Sequence, residues 1–448
     1  MPHPKGNKIG QLVLASTGFL MCFVMWFATA AFSVAIMKDY GLEKAQLAIL
    51  ASSAMWLQPF FRQLAGILTD RFGAPRTAAI TLAYTGIFSI LSAYSRNYTE
   101  LFITRLVVAT AGIFFVIGIQ HMAQWFEKQE IGLAQGIYAG TGNVGAGLGA
   151  LLLPRIYGLD YRTAFLHLGI LALVLSLVYW RMGVAAVSAE RAHQVRQAAT
   201  MKDTVYVVTR FSAIALMLQY AMSFGLEIGM NAWLPGYYRL AFQHQFEALG
   251  YTSLTAIAVV AGTLASVQSF NASLWRPFSG FVSDLFLRKG WTPWPFLNRK
   301  DPLAPRLHWV FTSMVAATLM MFVFSWAGLS GNLAFSVIAL ALLGFTTAFG
   351  TGSNFGVTPV LFRKNPGIAT GFIGGVSTIG GIVYPLIYGA VPNIHTGYAL
   401  VAGLLFIPFM LIFIVAFRPG ERIQVDSGLG HFASYGLATP LVETAQGD

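Results

Sequence analysis

A chain of 448 residues, 56% hydrophobic and only 10% charged, with a mean hydropathy of +0.65, lies far outside soluble globular composition and reads as an all-α integral membrane protein. Its formal charge of +11 is carried mostly between apolar runs, where it sets orientation in a membrane rather than binding nucleic acid. Cys22 is the single cysteine, which excludes a disulfide framework and a cysteine-held metal.

In chain order, apolar windows long enough to cross a hydrocarbon layer of about 30 Å fall near 11–37, 45–69, 76–95, 100–123, 132–154, 161–181, 209–238, 252–285, 306–328, 332–359, 366–391 and 398–417. The runs are continuous and lack the alternation of a β-barrel, so the expected fold is twelve transmembrane helices. The first run is too long for a signal-peptide core and counts as a span. With both termini cytoplasmic, the inner segments gather most basic residues, among them Lys5, Lys8, Arg71, Arg76, Arg181, Arg288 and Arg306. The outer segments then hold only Lys38, Lys44, Arg96, Arg105, Arg155, Arg162 and Arg239, as the positive-inside rule requires in a cytoplasmic membrane. The polar stretch 182–208 reads as a linker between two pseudo-symmetric six-helix halves, 1–181 and 209–417, with 418–448 as a cytoplasmic tail.

Two motifs recur across these halves. Arg62, Gly66 and Asp70 in the second window and Arg276, Gly280 and Asp284 in the eighth both read Arg-x-x-x-Gly-x-x-x-Asp. "AQGIYAGTGNVGAG" from Ala134 and "ATGFIGGVSTIGG" from Ala369 share an Ala-x-Gly start and glycines in register. Such repeats build many secondary transporters, with the site near the bilayer midplane. Four-residue steps keep each arginine and aspartate on one helix face, the arginine about 12 Å deeper. A guanidinium at that depth costs at least ~2.5 kcal/mol unless it faces a polar cavity. Glu227 is the clear acid at such depth, and one carboxylate cannot neutralise two arginines. The pair therefore points to an oxyanion, whose planar oxygens suit the guanidinium fork. The glycines let helix backbones approach and slide. There is no Gly-Lys-Ser/Thr nucleotide loop and no cluster at metal or acid/base spacing, so gradients must drive the protein, and no enzyme activity, cofactor or metal is expected. A carrier of another small anion such as a carboxylate is the alternative within transporters. A membrane sensor without transport is the alternative outside them, though no stretch is long and apolar enough for a soluble output domain.

"GILTDRFGAPR" fits the Gly-x-x-x-Asp-Arg-x-Gly-x-x-Arg loop signature of the major facilitator superfamily. "WFEKQEIGLAQGIYAGTGNVGAG" and "GFIGGVSTIGGIVYP" resemble the two glycine-rich signatures of its nitrate/nitrite porter family, as do the paired arginines and "FVMWFATAAFSV", over about 10–420. The resemblance implies alternating-access transport of nitrate or nitrite, with Arg62 and Arg276 clamping the anion and Asn143 donating to it. It further implies that Phe115 and Phe355 sandwich the substrate and that Tyr220 lies at the site. The sequence departs from the family at the helix-4 Asn-Phe pair, which here is Phe114-Phe115, and at Ser377 and Thr378 in the second signature.

Tyr220, Phe224, Glu227 and Asn231 follow one another at i, i+4, i+7 and i+11 and share a stripe expected to face the cavity. "FGLEIGMNAWLPGYY" resembles the porters with Gly-x-Glu here, which implies proton coupling; a fixed Glu227–arginine ion pair is the structural alternative. Asp70 with Arg71 and Arg76, and Asp284 with Arg288, are expected to form a cytoplasmic latch. His121 and His167 are expected to be packed and hydrogen-bonded. The expected partners are the anion, protons and membrane lipid, for a monomer.

Overall fold

The computed structural model describes residues 7–126, 130–185, 201–362 and 366–420, with backbone alone for Asp70, Phe355, 131–133, 201–204, 366 and 367. Twelve long helical units, with a short helix at Met201–Val208 before the seventh, succeed one another among these residues. They are α1 (Lys8–Ala31, continued by Ser33–Tyr40), α2 (Lys44–Ser53 and Gln58–Phe72), α3 (Ala74–Ala93) and α4 (Tyr98–Trp125). α5 (Ile131–Tyr157), α6 (Tyr161–Met182), α7 (Phe211–Ala248) and α8 (Leu254–Lys289) follow. α9 (Ala304–Leu329), α10 (Leu333–Leu361), α11 (Pro366–Val376 and Ile379–Ala390) and α12 (Thr396–Ala416) complete the bundle. Nine meet the length and hydropathy of a membrane span. Of the other three, α2 is broken into short pieces, α3 opens on Arg76 and carries three threonines, and α5 is glycine-rich.

The apolar windows and the helices agree within a few residues except at α7, which runs on to Ala248. Its last turns carry Arg239, Gln243, His244, Gln245 and Glu247, so the helix continues where the apolar run stops, past a kink at Phe242. Hydropathy is equally blind to breaks inside the spans. α2 lapses at 54–57, α4 tightens to a 3-10 turn at Ala109–Ile113, α7 widens to a π turn at Ala221–Gly225 and α11 parts at 377–378. A freed carbonyl in hydrocarbon must find a donor, and side chains from neighbouring helices supply them. The Trp26 indole donates to Ala54 O (2.8 Å), Gln58 to Ala109 O (2.6 Å), Tyr138 to Phe114 O (2.6 Å) and Tyr384 to Ala221 O (3.1 Å).

Glycines set how the helices meet. α5 and α8 lie in contact from Gly158 against Thr255, through Gly262 against the Ala150 carbonyl, to Gly147 against Ser269 and Phe270. α2 and α11 touch likewise from Gly389 against Ala48 to Gly381 against Met55. Lys44 donates to Val391 O and Pro392 O, and Arg239 to Val34 O (3.3 Å), at the same end of the bundle. Toward the other end, which bears Lys8 and Ala416, a Cβ on Gly136, Gly140, Gly280, Gly371 or Gly374 would meet nothing within 4 Å. The molecule is thus splayed at the end that bears Lys8 and Ala416 and closed at the opposite end. Gly262→Val is expected to destabilise the protein by about 1–3 kcal/mol, because the obstructing atom is a backbone oxygen that cannot rotate away. A thermal midpoint in detergent equal to wild type would contradict this packing.

Candidate substrate-binding site

Arg62 lies on α2, 5% exposed, one turn after Gln58. Its Nε donates to Gln58 Oε1 (3.2 Å) and its Nη1 to Gly374 O (3.1 Å) across the gap to α11. That carbonyl lacks its helical N–H because α11 parts: Thr378 N turns to Gly375 O (3.3 Å), while the hydroxyls of Ser377 and Thr378 donate back to Gly374 O and Gly375 O. The guanidinium lies 5.2 Å from the ring of Phe224 and 5.8 Å from that of Phe115. Nη2 is buried and donates to no protein acceptor.

Arg276 holds the matching place on α8. Its Nη2 donates to Glu227 Oε2 at 2.7 Å, and Glu227 is 1% exposed on α7. Asn143, with its amide oxygen turned toward α8, accepts from Nη1 and from Nη2 (3.1 Å) of the same guanidinium. Asn143 is fixed there because Ser269 on α8 donates to its backbone carbonyl (3.1 Å). Arg276 Nε, like Arg62 Nη2, is buried without an acceptor. Each arginine is therefore held by protein oxygens yet keeps one buried nitrogen without an acceptor.

Tyr220 is buried and stacks on Phe224 with ring centroids 5.2 Å apart, within electrostatic reach of Arg62, Arg276 and Glu227 alike. Four sequence-predicted residues, Arg62, Phe115, Tyr220 and Phe224, thus meet on one side, and Arg276, Asn143 and Glu227 on the other. The Phe355 side chain lies outside the described residues. Asn231 is buried, and its Oδ1 has no protein donor. Sequence reasoning missed Gln58, which orients Arg62, and a polar knot on α7 and α10. In that knot Asn354 donates to Gln219 Oε1 (2.7 Å) and Leu216 O, and Thr358 donates to Asn354 (2.8 Å). Gln58 stands one turn before Arg62 and Asn354 stands next to Phe355, placements that could have singled them out.

The latch residues fall out differently. Asp284 pairs with Arg306 on α9 at 2.5 Å, and Arg306 also donates to Gly356 O (3.2 Å), whereas Arg288 is exposed. The rise of one helical turn places Arg288 near Asp284, but α9 brings Arg306 from across the bundle with α10 behind it. Arg71 and Arg76 are exposed, and the Asp70 side chain is outside the described residues. Arg105, assigned by sequence to an outer segment, is instead buried within α4. His121 bonds Tyr179 OH (2.9 Å) and Val184 O (3.1 Å) and is packed as expected, whereas His167 bonds Tyr157 OH (3.1 Å) from an exposed position and is not packed.

A model of the Major Facilitator Superfamily matches residues 14–385. The chain belongs to that superfamily. This transporter is similar to the "Probable nitrate/nitrite antiporter NarK1" of Thermus thermophilus, with 28% identity over 402 residues and 85% of each chain covered. It is 24% identical to the nitrate/nitrite transporter NrtP of Nostoc punctiforme, over 83% of this chain and 85% of that one. It is 25% identical to the nitrite extrusion protein of Bacillus subtilis, over 87% and 89%. Among solved structures, the nucleoside transporter NupG superposes with a TM-score of 0.65 at 15% identity, covering 91% of this chain and 98% of that one. A bacterial Spinster homologue gives 0.59 at 14%, covering 93% and 96%. At those identities the likeness is one of fold. Membership of a superfamily of membrane transporters answers the expectation that the chain is no enzyme.

Proposed function

We propose that the protein carries nitrate, nitrite or both across the cell membrane by alternating access, with the anion held between Arg62 and Arg276. The observation that carries this reading is the pair of spare donors, Arg62 Nη2 and Arg276 Nε, on arginines otherwise anchored by protein oxygens. A planar oxyanion accepts from both, the rings of Phe115, Phe224 and Tyr220 bound its faces, and the free amide nitrogen of Asn143 donates to a remaining oxygen. The similarity to nitrate and nitrite transporters over most of the chain supports the choice of anion. In this reading residues 1–181 and 209–417 rock about the site, the linker 182–208, the tail 418–448 and both termini are cytoplasmic, and the splayed end faces the cytoplasm. The Asp284–Arg306 pair, with Asp70, Arg71 and Arg76 in the other half, serves as the cytoplasmic latch, and Glu227 couples a proton to the anion. The protein works as a monomer in lipid.

Proteoliposomes loaded with nitrite are expected to take up external nitrate saturably, and sulfate is expected not to compete. Uptake of a carboxylate with neither nitrate nor nitrite moving under any gradient would overturn the reading. Asn143→Ala is expected to weaken nitrate binding about tenfold, since it removes one charge-assisted contact to Arg276 and one donor to the anion. Unchanged nitrate binding with unchanged discrimination against sulfate would remove Asn143 from the site.

A further inference from the structure

Arg105 is a third arginine inside the membrane-spanning bundle, 3% exposed on α4. Its Nε donates to Thr29 Oγ1 at 2.6 Å, its Nη2 to Met25 O, and its guanidinium lies 4.3 Å from the ring of Phe165. No acid among the described residues pairs with it, and its Nη1 is buried without an acceptor. Nor does the hydroxyl of Ser33, 1% exposed on α1, have a partner. Both residues line one cavity of about 20 Å³, together with Trp26, Thr29, Ala109 and Ala232. A cavity above about 10–15 Å³ holds a species the size of one water or somewhat larger.

The position of this cavity matters as much as its chemistry. α1, α2 and α4 supply most of its wall, and Ala232 on α7 closes it, so it lies between the halves on the closed side of Arg62. One turn along α4 from Arg105, Ala109 gives its carbonyl to Gln58, and Gln58 in turn accepts from Arg62 Nε. A chain of two hydrogen bonds thus joins the wall of the cavity to the proposed clamp.

We propose that Arg105 and Ser33 form a second binding site for a small monovalent anion, a staging site on the branch of the pathway that is closed in this structure. The two lining groups without partners are a cationic N–H and a hydroxyl, both able to donate; an uncompensated guanidinium in a buried, partly apolar chamber attracts negative charge strongly. The volume has room for one small species. The occupant belongs to the same chemical class as the transported anion, so the identity of the probe rests on the reading proposed above, whereas the site rests on Arg105, Ser33 and the cavity. An anion handed inward from Arg105 meets Arg62 past Gln58, with no long unscreened gap between cations.

Equilibrium dialysis of labelled nitrate against the purified full-length protein, at matched ionic strength with sulfate as the background salt, tests this directly. Wild type is expected to bind two nitrates per chain, and Arg105→Gln one. Should Arg105→Gln fail to fold, Ser33→Val decides, because it fills the cavity while leaving the Arg105 contacts to α1 in place; it too is expected to bind one. In proteoliposomes Ser33→Val is expected to raise the half-saturating nitrate concentration about tenfold at the face opposite the termini and to leave it unchanged at the other, an asymmetry that loss of packing alone would not produce. One nitrate per wild-type chain, or two retained in Ser33→Val, overturns the staging site alone; no nitrate bound to wild type overturns the main site as well.

Discussion

Arg62→Lys and Arg276→Lys are each expected to weaken nitrate binding by more than 100-fold, about 3 kcal/mol or more, in protein that still folds. The reason lies in how many directions each guanidinium serves. Arg62 reaches Gln58 with Nε and Gly374 O with Nη1, which leaves Nη2 for the anion; Arg276 reaches Glu227 and Asn143 with its two terminal nitrogens, which leaves Nε. A lysine ammonium is a point charge whose three donors diverge from one atom and cannot span the same partners. Charge is conserved in both variants, so the loss reports geometry. Wild-type nitrate affinity in either would show that the arginines act only as counter-charges and would sink the clamp.

Glu227→Gln is expected to abolish stimulation of nitrate uptake by an inward proton gradient while retaining nitrate/nitrite exchange. The charge count at the site gives the sign. Arg62 and Arg276 with ionised Glu227 leave a net +1; protonation leaves +2, and the extra unit strengthens anion binding by roughly 2 kcal/mol for charges about 8 Å apart at an effective dielectric near 20. Nitrate affinity should therefore rise as pH falls in wild type, and by reciprocity bound nitrate should favour protonated Glu227. Glutamine holds the hydrogen bond to Arg276 but fixes the net charge at +2, so the variant should bind nitrate about 30-fold tighter than the ionised wild type, with no pH dependence. Wild-type uptake that ignores the pH gradient, together with an unimpaired variant, would leave Glu227 as a structural partner of Arg276 and exchange as the mechanism.

Much of this was legible because the bilayer imposes simple rules on sequence. Twelve apolar windows became twelve helices, and Arg62 and Arg276 stood out because cations are rare at that depth. Arg105 escaped because it lies only seven residues past the start of α4, within reach of the layer's edge as judged by hydropathy, while its burial depends on Thr29 and Phe165 from other helices. Arg306 escaped for a related reason: the i, i+4 spacing of Asp284 and Arg288 is visible in one dimension, and a partner brought by α9 is not. The breaks at 54–57 and 377–378 leave hydropathy unchanged and are recognisable only from the donors that reach them, Trp26 and Arg62. The sequence offers Glu227 two roles, and the ion pair with Arg276 shows where its carboxylate sits.

The two crossings, α5 with α8 and α2 with α11, tighten toward one end and part near Asn143 and Gly375. Helices that cross in this way would work as levers, and the place where they part, beside the breaks in α2 and α11, would be the fulcrum. Displacement grows with distance from a fulcrum, so in the proposed rocking of the halves Gly136 and Gly280 would travel far while Arg62 and Arg276, beside it, would mostly rotate in place. The anion would then keep nearly the same donors throughout the stroke, and what changes is which mouth lies open to it.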